Sequence, residues 1–332
     1  MTVSKRARIV GLGAYLPEKI LSNRDLEHMV DTSDEWITSR TGIKERRIAA
    51  AEETCSSMAA MAAKEALKSA NCTIEEVDLI LLATMSPDYL CPGASPLVQE
   101  ALGASSIPCF DIHAACTGYI YGLSAAKAWI ESGMYHKILL IASEKMSYLI
   151  DYQDRNTCIL FGDGAAACVV SAEGKGLLLE KISLGADGKQ SDLIIVKEGG
   201  SVAPFSENTC ENRGQFVQMS GKEVFKHAVR RMAHSAKELL KEANLSENEI
   251  KWLVPHQANI RIIESIAKSC SISLSSVYQT LEKYGNTSAS SVGIALEELC
   301  QKHPLQEGDR VLLVAFGAGL TWGSALLKEI DS

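Results

Sequence analysis

Two stretches of the chain repeat one pattern of apolar and polar positions. Residues 65–84 read EALKSANCTIEEVDLILLAT, and residues 238–257, which lie 173 positions later, read ELLKEANLSENEIKWLVPHQ. In each stretch the end of an amphipathic helix is followed by an Ala-Asn terminus, an acidic linker and a short apolar run typical of a buried parallel strand. The pattern therefore predicts two related halves.

A second pair of segments follows at nearly the same spacing. The helical pattern GYIYGLSAAKAWIESG and the strand pattern KILLIAS come after Cys116, and TSASSVGIALEELCQ and RVLLVAF come after Asn286. Strands that alternate with helices predict parallel sheets covered by helices. We therefore predict an α/β fold whose two units, residues 1–175 and 176–332, pack about a pseudo-twofold axis.

Composition places this pattern in a packed globular protein. The 332 residues are 46% hydrophobic and 22% charged with only 8 prolines, which argues against disorder and fibrous repeats. The net charge of -8 and the lack of a long apolar run disfavour nucleic acid and membranes as partners. The 10 cysteines form no Cys-x-x-Cys pair and no zinc spacing, so we expect no metal site and a cytoplasmic location.

Cys116 is the first candidate for chemistry. The strand-like segment CFDIHAA leads into it and a helical pattern follows, so this cysteine is expected at a strand-to-helix turn. The partial positive charge of a helix N-terminus lowers the pKa of a nearby thiol and makes it more reactive. The alternative is a buried thiol that only fills space, and position alone leaves both interpretations open.

Two polar residues in the second half stand at similar places. His256 directly follows an apolar strand, at the sheet edge where active sites of open α/β sheets gather, although a lone histidine is more often structural. Asn286 opens a helix, which by itself is typical of an N-cap. In the repeat, Asn286 is expected to take the place that Cys116 has in the first half. We therefore predict that all three residues converge where the halves meet.

The glycine-rich segments are less specific. GLGAYLP, at residues 11–17, lacks the third glycine of a dinucleotide-binding loop and has a proline where the helix should start, so we expect no nicotinamide site. FGAGLTWGSALL, at residues 316–327, predicts a turn between two strands. That turn is either a plain hairpin or a source of free backbone N–H groups that face an oxyanion.

Four of these segments together closely resemble the β-ketoacyl-acyl carrier protein synthase III family, the initiating condensing enzymes of dissociated fatty acid synthesis. They are AACTGY around Cys116, PHQAN around His256, YGNTSAS around Asn286 and FGAGLTWGSAL near the end. The similarity covers essentially the whole chain, including DTSDEWITSRTGIKERR at residues 31–47. It implies a thiolase-like fold with a layered α-β-α-β-α core, and a homodimer.

The resemblance also implies roles for the candidate residues. Cys116 would accept the acyl group, and His256 and Asn286 would bind the malonyl thioester oxygen. The backbone N–H groups of Cys116 and Ala318 would form the other oxyanion hole, with Ala318 where many relatives have glycine. The implied reaction condenses an acyl-CoA primer, with acetyl-CoA expected, with malonyl-acyl carrier protein. Loss of CO2 creates the enolate, so neutral N–H donors suffice. CoA thioesters are substrates, and no permanently bound cofactor is expected.

Substrate contacts of the family match further positions. An aromatic residue and an arginine that sandwich the adenine of CoA correspond to Trp36 and Arg155. The other expected CoA contacts are Thr32, Arg40 and Asn259. An acidic carrier protein requires a cationic docking face. Lysines and arginines share one side of each of two predicted helices, which by itself is typical of a solvated surface. With the resemblance, docking is expected at Lys226, Arg261 and Lys268. Cys91 matches a position that shapes the primer pocket, often from the partner subunit.

Two other functions stay open at this point. A diverged relative would use free malonyl-CoA to make a polyketide or a quinolone-type product. A non-catalytic homologue would bind acyl groups without transferring them, although the intact Cys, His and Asn set disfavours this.

Overall fold

The computed structural model describes residues 6–331. Within this range the strands are β1 (Arg8–Tyr15), β2 (Ile20–Ser22), β3 (Glu45–Arg47), β4 (Leu79–Ala83), β5 (Cys109–Ile112), β6 (Lys137–Glu144), β7 (Gly164–Ser171), β8 (Gly176–Ala186), β9 (Ile194–Ile195), β10 (Gln218–Met219), β11 (Trp252–Pro255), β12 (Arg310–Gly317) and β13 (Thr321–Ile330). Short antiparallel pairs join β2 with β3 and β9 with β10.

The α-helices are α1 (Asn23–Glu27), α2 (Asp34–Thr41), α3 (Cys55–Ser69), α4 (Ser95–Ala101), α5 (Gly118–Glu131), α6 (Thr209–Asn212), α7 (Gly221–Glu242), α8 (Ile260–Ser269), α9 (Leu281–Tyr284) and α10 (Ser291–Lys302). None of the helices between residues 6 and 331 combines the length and apolar character needed to cross a membrane.

The main sheet has nine strands in the order β11-β12-β13-β8-β1-β7-β6-β4-β5. Outward from the centre, β1–β7–β6 and β8–β13–β12 both pair antiparallel, and β6–β4 and β12–β11 both pair parallel. β5 continues one side, and an isolated parallel bridge between Leu253 and Val277 continues the other. This matching order supports a division between β7 and β8, at residues 175 and 176, which stays a prediction.

Side-chain alternation along the strands shows how the layers are filled. In β4, Leu81 belongs to the core cluster that contains residues of α5 and α10, whereas Leu82 packs with α3. In β12, Leu313 belongs to that same central cluster and Leu312 packs with α7 and α8. The two sides of the nine-stranded sheet thus form two separate layers: the side with β4 lies between α3 and the pair α5 and α10, and the side with β12 lies between that pair and α7 with α8. This confirms the α-β-α-β-α core that the resemblance implies. Burial of both faces explains the uninterrupted apolar runs of these strands.

The glycines of the GLG sequence lie inside β1 and serve packing. A Cβ atom on Gly13 would lie 2.3 Å from the backbone nitrogen of Ala66 and 2.4 Å from the carbonyl oxygen of Ala62, both in α3. Only glycine therefore fits where this alanine-rich helix lies against the strand. The segment brings α3 close to the sheet.

Candidate active site

Cys116 lies at the predicted strand-to-helix turn. β5 ends four residues before it, a 3-10 helix covers Ala115–Thr117, and α5 follows directly. The preceding residue, Ala115, has a φ of 46°. This left-handed conformation is strained for a residue with a side chain, and such strain is typical of functional turns.

A narrow cavity of about 60 Å³ brings the three candidate catalytic residues together. Cys116 lines it from the first half of the chain, and His256 and Asn286 line it from the second. Ala318 also lines this cavity. Much of the remaining wall is apolar and includes Met85, Met146, Phe161, Val224, Met232, Ile262 and Phe316. We refer to this space as the Cys116 cavity.

His256 is held in a defined orientation at the end of β11. Its backbone N–H donates to the carbonyl oxygen of Val314 at 2.8 Å. The side chain is buried, and Nδ1 lies 2.6 Å from Oγ of Ser291. Burial lowers the pKa of His256 to about 4, so the ring is neutral near pH 7. When the Ser291 hydroxyl donates to Nδ1, the ring proton resides on Nε2, which becomes an N–H donor.

Asn286 is oriented by its own loop. Its side-chain oxygen, Oδ1, accepts a hydrogen bond of 2.9 Å from the backbone N–H of Ser288. Its backbone N–H donates to Leu160 at 2.8 Å and its carbonyl accepts from Gly162 at 3.0 Å. Because the carboxamide oxygen is engaged, the side-chain amino group is the part of Asn286 that can donate to a molecule in the cavity.

The Cys116 thiol has polar neighbours on one side. Its Sγ lies 3.5 Å from Oγ of Ser288, and that hydroxyl donates to Oε1 of Glu144 at 3.0 Å. Burial raises the pKa of Cys116 to about 12. This direction is opposite to the lowering expected from the helix N-terminus, because burial disfavours the charged thiolate. At neutral pH the resting group is a thiol.

Ala318 approaches Cys116 at the turn between β12 and β13. The backbone φ of Ala318 is not positive, so its conformation suits a residue with a side chain. The residue before it must be glycine, since a Cβ on Gly317 would lie 2.8 Å from the backbone nitrogen of Cys116. Thr321 donates to the Ala318 carbonyl at 3.0 Å and accepts from the hydroxyl of Thr117 at 2.8 Å. These contacts fix the turn against the loop that carries Cys116.

The structure corrects the expected correspondence between the halves. The 3-10 helices that precede α5 and α10 each begin with a left-handed residue, Ala115 with a φ of 46° and Ser288 with a φ of 51°. Aligning these helices matches Cys116 with Ala289. Asn286 lies three residues earlier and does not occupy the position of Cys116.

The five residues expected to bind CoA form a cluster at the surface around α2. The Cζ atoms of Arg40 and Arg155 lie 4.7 and 4.8 Å from the Trp36 ring centroid. Asn259, the N-cap of α8, donates to the carbonyl of Arg40 at 3.1 Å. Thr32 Oγ1 is buried without a protein partner. A buried polar atom of this kind is available to a ligand.

The three expected docking cations are exposed on α7 and α8. Lys226 forms an ion pair of 2.7 Å with Glu223 on its own helix. The guanidinium of Arg261 donates to the carbonyl of Ser39 at 3.2 Å, which ties α8 to α2. Lys268 lies in the last turn of α8. Of the three docking residues, Arg261 therefore contacts the helix that carries Trp36 and Arg40.

Cys91 is exposed and is not part of the wall of the Cys116 cavity. The side chains just before it, Tyr89 and Leu90, line a second cavity of about 880 Å³ that Ala318 also lines. Within one protomer the structure therefore does not bring Cys91 to Cys116.

Sequence reasoning missed the polar residues that support the three candidates. Ser288 and Ser291 lie in a segment whose sequence is typical of helix capping, so no role at the site was assigned to them. Glu144, at the end of β6, was not considered. The available signal was a charged residue closing an otherwise apolar strand, in KILLIASE. Across residues 6–331, no group of three or more His, Cys, Asp and Glu side chains is placed to hold a metal ion.

Comparisons with known proteins agree with the resemblance of the motifs. Residues 110–188 match the family model of 3-oxoacyl-[acyl-carrier-protein] synthase III, and residues 240–329 match the model of its C-terminal part. The β-ketoacyl-[acyl-carrier-protein] synthase III of Chlamydia trachomatis is 56% identical over 326 residues, which are 98% of this chain and 100% of that protein.

Solved structures give the same result. The 3-oxoacyl-[acyl-carrier-protein] synthase III of Aquifex aeolicus is 45% identical with a TM-score of 0.89, covering 97% of this chain and 99% of that one. The Thermus thermophilus enzyme is 40% identical with a TM-score of 0.89, covering 98% and 100%. The chain therefore belongs to the β-ketoacyl-acyl carrier protein synthase III family and is a condensing acyltransferase with the thiolase fold.

Proposed function

We propose that the family's reaction, the decarboxylative condensation of an acyl-CoA primer with malonyl-acyl carrier protein that initiates fatty acid synthesis, proceeds in this protein through Cys116, His256 and Asn286. The observation that carries the proposal is that one cavity is lined by all three residues, one from the first half and two from the second. Acetyl-CoA is the expected primer.

The first half-reaction loads the enzyme. Cys116 attacks the carbonyl carbon of the acyl-CoA thioester, CoA leaves, and the acyl group stays on Sγ. The backbone N–H groups of Cys116 and Ala318 stabilise the oxyanion that forms during the attack. Supporting this role, Ala318 lines the same cavity, and the close approach of Gly317 to the Cys116 nitrogen places the two loops together.

The second half-reaction forms the carbon–carbon bond. Malonyl-acyl carrier protein loses CO2, and the resulting enolate attacks the acyl group on Cys116. Nε2–H of His256 and the amino group of Asn286 donate to the enolate oxygen. The neutral state of the buried His256 suits this task, because departure of CO2 generates the carbanion without a base. Loss of one such donor is expected to cost about 3 kcal/mol in the barrier.

The substrate contacts complete the proposal. Adenine of CoA stacks on Trp36, with Thr32, Arg40, Arg155 and Asn259 around it. Arg155 lies 4.8 Å from the Trp36 ring centroid. At this distance the two groups are in direct contact, so Arg155 moves aside when the base enters. Lys226, Arg261 and Lys268 form the docking face for the acidic carrier protein.

We extend the proposal to assembly and location. The protein forms a homodimer in which Cys91 borders the primer pocket of the other subunit, in keeping with the exposed Tyr89 and Leu90 beside it. It works in the cytoplasm, in keeping with the ten cysteines, all of which are free.

The product of acetyl-CoA and malonyl-acyl carrier protein tests the proposal. We expect acetoacetyl-acyl carrier protein and CO2 from the wild type, none from Cys116→Ala, and an unchanged rate from the control Cys72→Ala. His256→Ala and Asn286→Ala should still load the acyl group but condense about a hundredfold more slowly. Product formed only from free malonyl-CoA would support the diverged condensing enzyme. Absence of any acyl transfer would support the acyl-binding homologue.

A further inference from the structure

The Cys116 thiol begins a line of hydrogen bonds that ends at a buried carboxylate. Sγ of Cys116 donates to Oγ of Ser288 at 3.5 Å, and the Ser288 hydroxyl donates to Oε1 of Glu144 at 3.0 Å. Ser288 and Glu144 are both 0% exposed. Condensation through Cys116, His256 and Asn286 alone gives Glu144 no task, although burying an ionisable carboxyl group is costly.

Hydrogen bonds on several sides fix the orientation of the Glu144 carboxyl group. Oε2 accepts hydrogen bonds from the Ser86 hydroxyl at 2.5 Å, the Thr84 hydroxyl at 3.2 Å and the Met85 backbone N–H at 3.1 Å. Oε1 faces Ser288. The backbone N–H of Ala289 also donates to this carboxyl group. The carboxyl group is therefore fixed in place, with Oε1 in hydrogen-bond contact with Ser288.

Two charged side chains lie near Glu144: Asp88 accepts hydrogen bonds from Ser56, and Lys145 donates to the carbonyl oxygens of Ala50 and Glu53. Three other titratable neighbours of Glu144 are uncharged at neutral pH. Cys55, Cys116 and Tyr148 are close enough to sense its charge, and burial raises the pKa of each to about 12. Burial also raises the pKa of Glu144 to about 6, so the group is mostly a carboxylate at pH 7 and a stronger base than an exposed glutamate.

We propose that Glu144 is the base that removes the Cys116 proton through Ser288 during acyl transfer, and that it returns a proton by the same route when condensation releases the thiolate. This inference rests on the proposed function of Cys116 as the acyl acceptor. Ser288 acts as the relay, because its hydroxyl accepts from sulfur and donates to the carboxylate.

The proton balance closes over the cycle. As the bond between Sγ and the acyl carbon forms, the thiol proton moves to Ser288 and the Ser288 proton moves to Glu144. The bond between the acyl carbon and the CoA sulfur then breaks, and the CoA thiolate takes a proton from water. In the condensation step, enolate attack breaks the bond between Sγ and the acyl carbon. The Cys116 thiolate is then reprotonated by Ser288, which is reprotonated from Glu144.

Single-turnover acylation by acetyl-CoA tests the relay, with the mass of the Cys116 peptide as the readout. In the wild type the acylation rate should fall below about pH 6 as Glu144 becomes protonated. Mixtures of H2O and D2O should give a curved dependence of the rate on deuterium content, because two protons move together. A purely structural role for Glu144 would produce neither signature.

Variants separate the relay from its alternatives. Ser288→Ala and Glu144→Gln should acylate about a hundredfold more slowly at pH 7, lose the fall below pH 6 and recover as hydroxide ionises the thiol at high pH. The matched control is Ser290→Ala, a buried serine of the same 3-10 helix that donates to the Thr287 carbonyl. It should keep the wild-type rate and pH profile.

Two results would overturn the inference. The first is a folded Ser288→Ala protein with wild-type acylation and pH profile. The second, which applies even if the variants fail to fold, is a wild-type rate that depends linearly on deuterium content and shows no loss below pH 6. Complete absence of acyl-Cys116 in the wild type would instead contradict the proposed function itself.

Discussion

Nδ1 of His256 lies 2.6 Å from Oγ of Ser291, the first residue of α10. The contact joins the histidine at the end of β11 to the helix that begins beside the Cys116 cavity. It fixes the ring and, with the hydroxyl as donor, keeps the proton on Nε2. A residue of the central helical layer thereby determines which ring nitrogen of His256 can donate a hydrogen bond.

Ser291→Ala should slow condensation and leave acylation unchanged. Without the hydroxyl the ring can adopt the other tautomer, so the enolate loses part of its donor. A lost hydrogen bond of about 1 kcal/mol corresponds to a decrease of roughly fivefold in rate. Rapid-quench measurement of the two half-reactions distinguishes them. An equal loss in both would show that the residue acts through general stability.

The buried His256 should make the protein less stable in acid. Its pKa is about 4 when folded, against 6.5 for an ordinary histidine. Between these values the unfolded chain binds a proton that the folded chain does not, so the free energy of unfolding falls as the pH falls from 6.5 to 4. The loss should reach about 3 kcal/mol and be absent above pH 6.5.

Urea unfolding of the wild type and His256→Gln at a series of pH values measures this contribution. Subtracting the unfolding free energies of the two proteins cancels the contributions of all other titratable groups. One of these groups is Glu144, whose raised pKa makes the folded protein more stable as the pH falls. A difference that does not change between pH 7 and pH 4 would mean that His256 titrates normally.

Gly317→Ala should damage the oxyanion hole. The added Cβ would lie 2.8 Å from the nitrogen and 3.3 Å from Cβ of Cys116, so one of the two loops must move. Displacing one N–H donor should lower the acylation rate about a hundredfold. The control is Gly188→Ala, since a Cβ there meets nothing within 4 Å. Wild-type acylation by Gly317→Ala would place the oxyanion hole elsewhere.

Trp36→Ala should weaken binding of acyl-CoA without changing the chemistry. Removing the stacking surface should cost about 1 kcal/mol, seen as roughly a fivefold higher KM for acetyl-CoA and an unchanged kcat. Met29→Ala, which removes another half-exposed apolar side chain near α2, serves as the control. A decrease in kcat with unchanged KM would argue against adenine stacking on this residue.

The repeat in the sequence predicted two related α/β units, and the family resemblance added the layered core. An offset of 173 residues matches β6 with β12 and the 3-10 helix before α5 with the one before α10. The same offset matches Asn286 with His113, which is exposed and lines the larger cavity. The pattern of helices and strands thus predicted that Cys116, His256 and Asn286 come together at one cavity, but the assignment of Asn286 to the place of Cys116 was three residues in error.

The electrostatics of the site could not be predicted from neighbouring residues in the chain. The pKa of Cys116 depends on burial by elements from both halves and on Glu144, which is 28 residues away in sequence. The hydrogen bond between Cys116 and Ser288 joins residues 172 positions apart. The position of Cys116 before a helix predicted a lowered pKa, whereas burial raises it. Burial depends on the folded chain and cannot be read from the neighbouring residues.

The mass of the peptide that contains Cys116 tests the central claim most directly. After incubation with acetyl-CoA, we expect one acetyl group on Cys116, and addition of malonyl-acyl carrier protein should remove it while an equal amount of acetoacetyl-acyl carrier protein forms. An unmodified Cys116 peptide during turnover, or an acetyl group that malonyl-acyl carrier protein does not remove, would contradict the role of this cysteine.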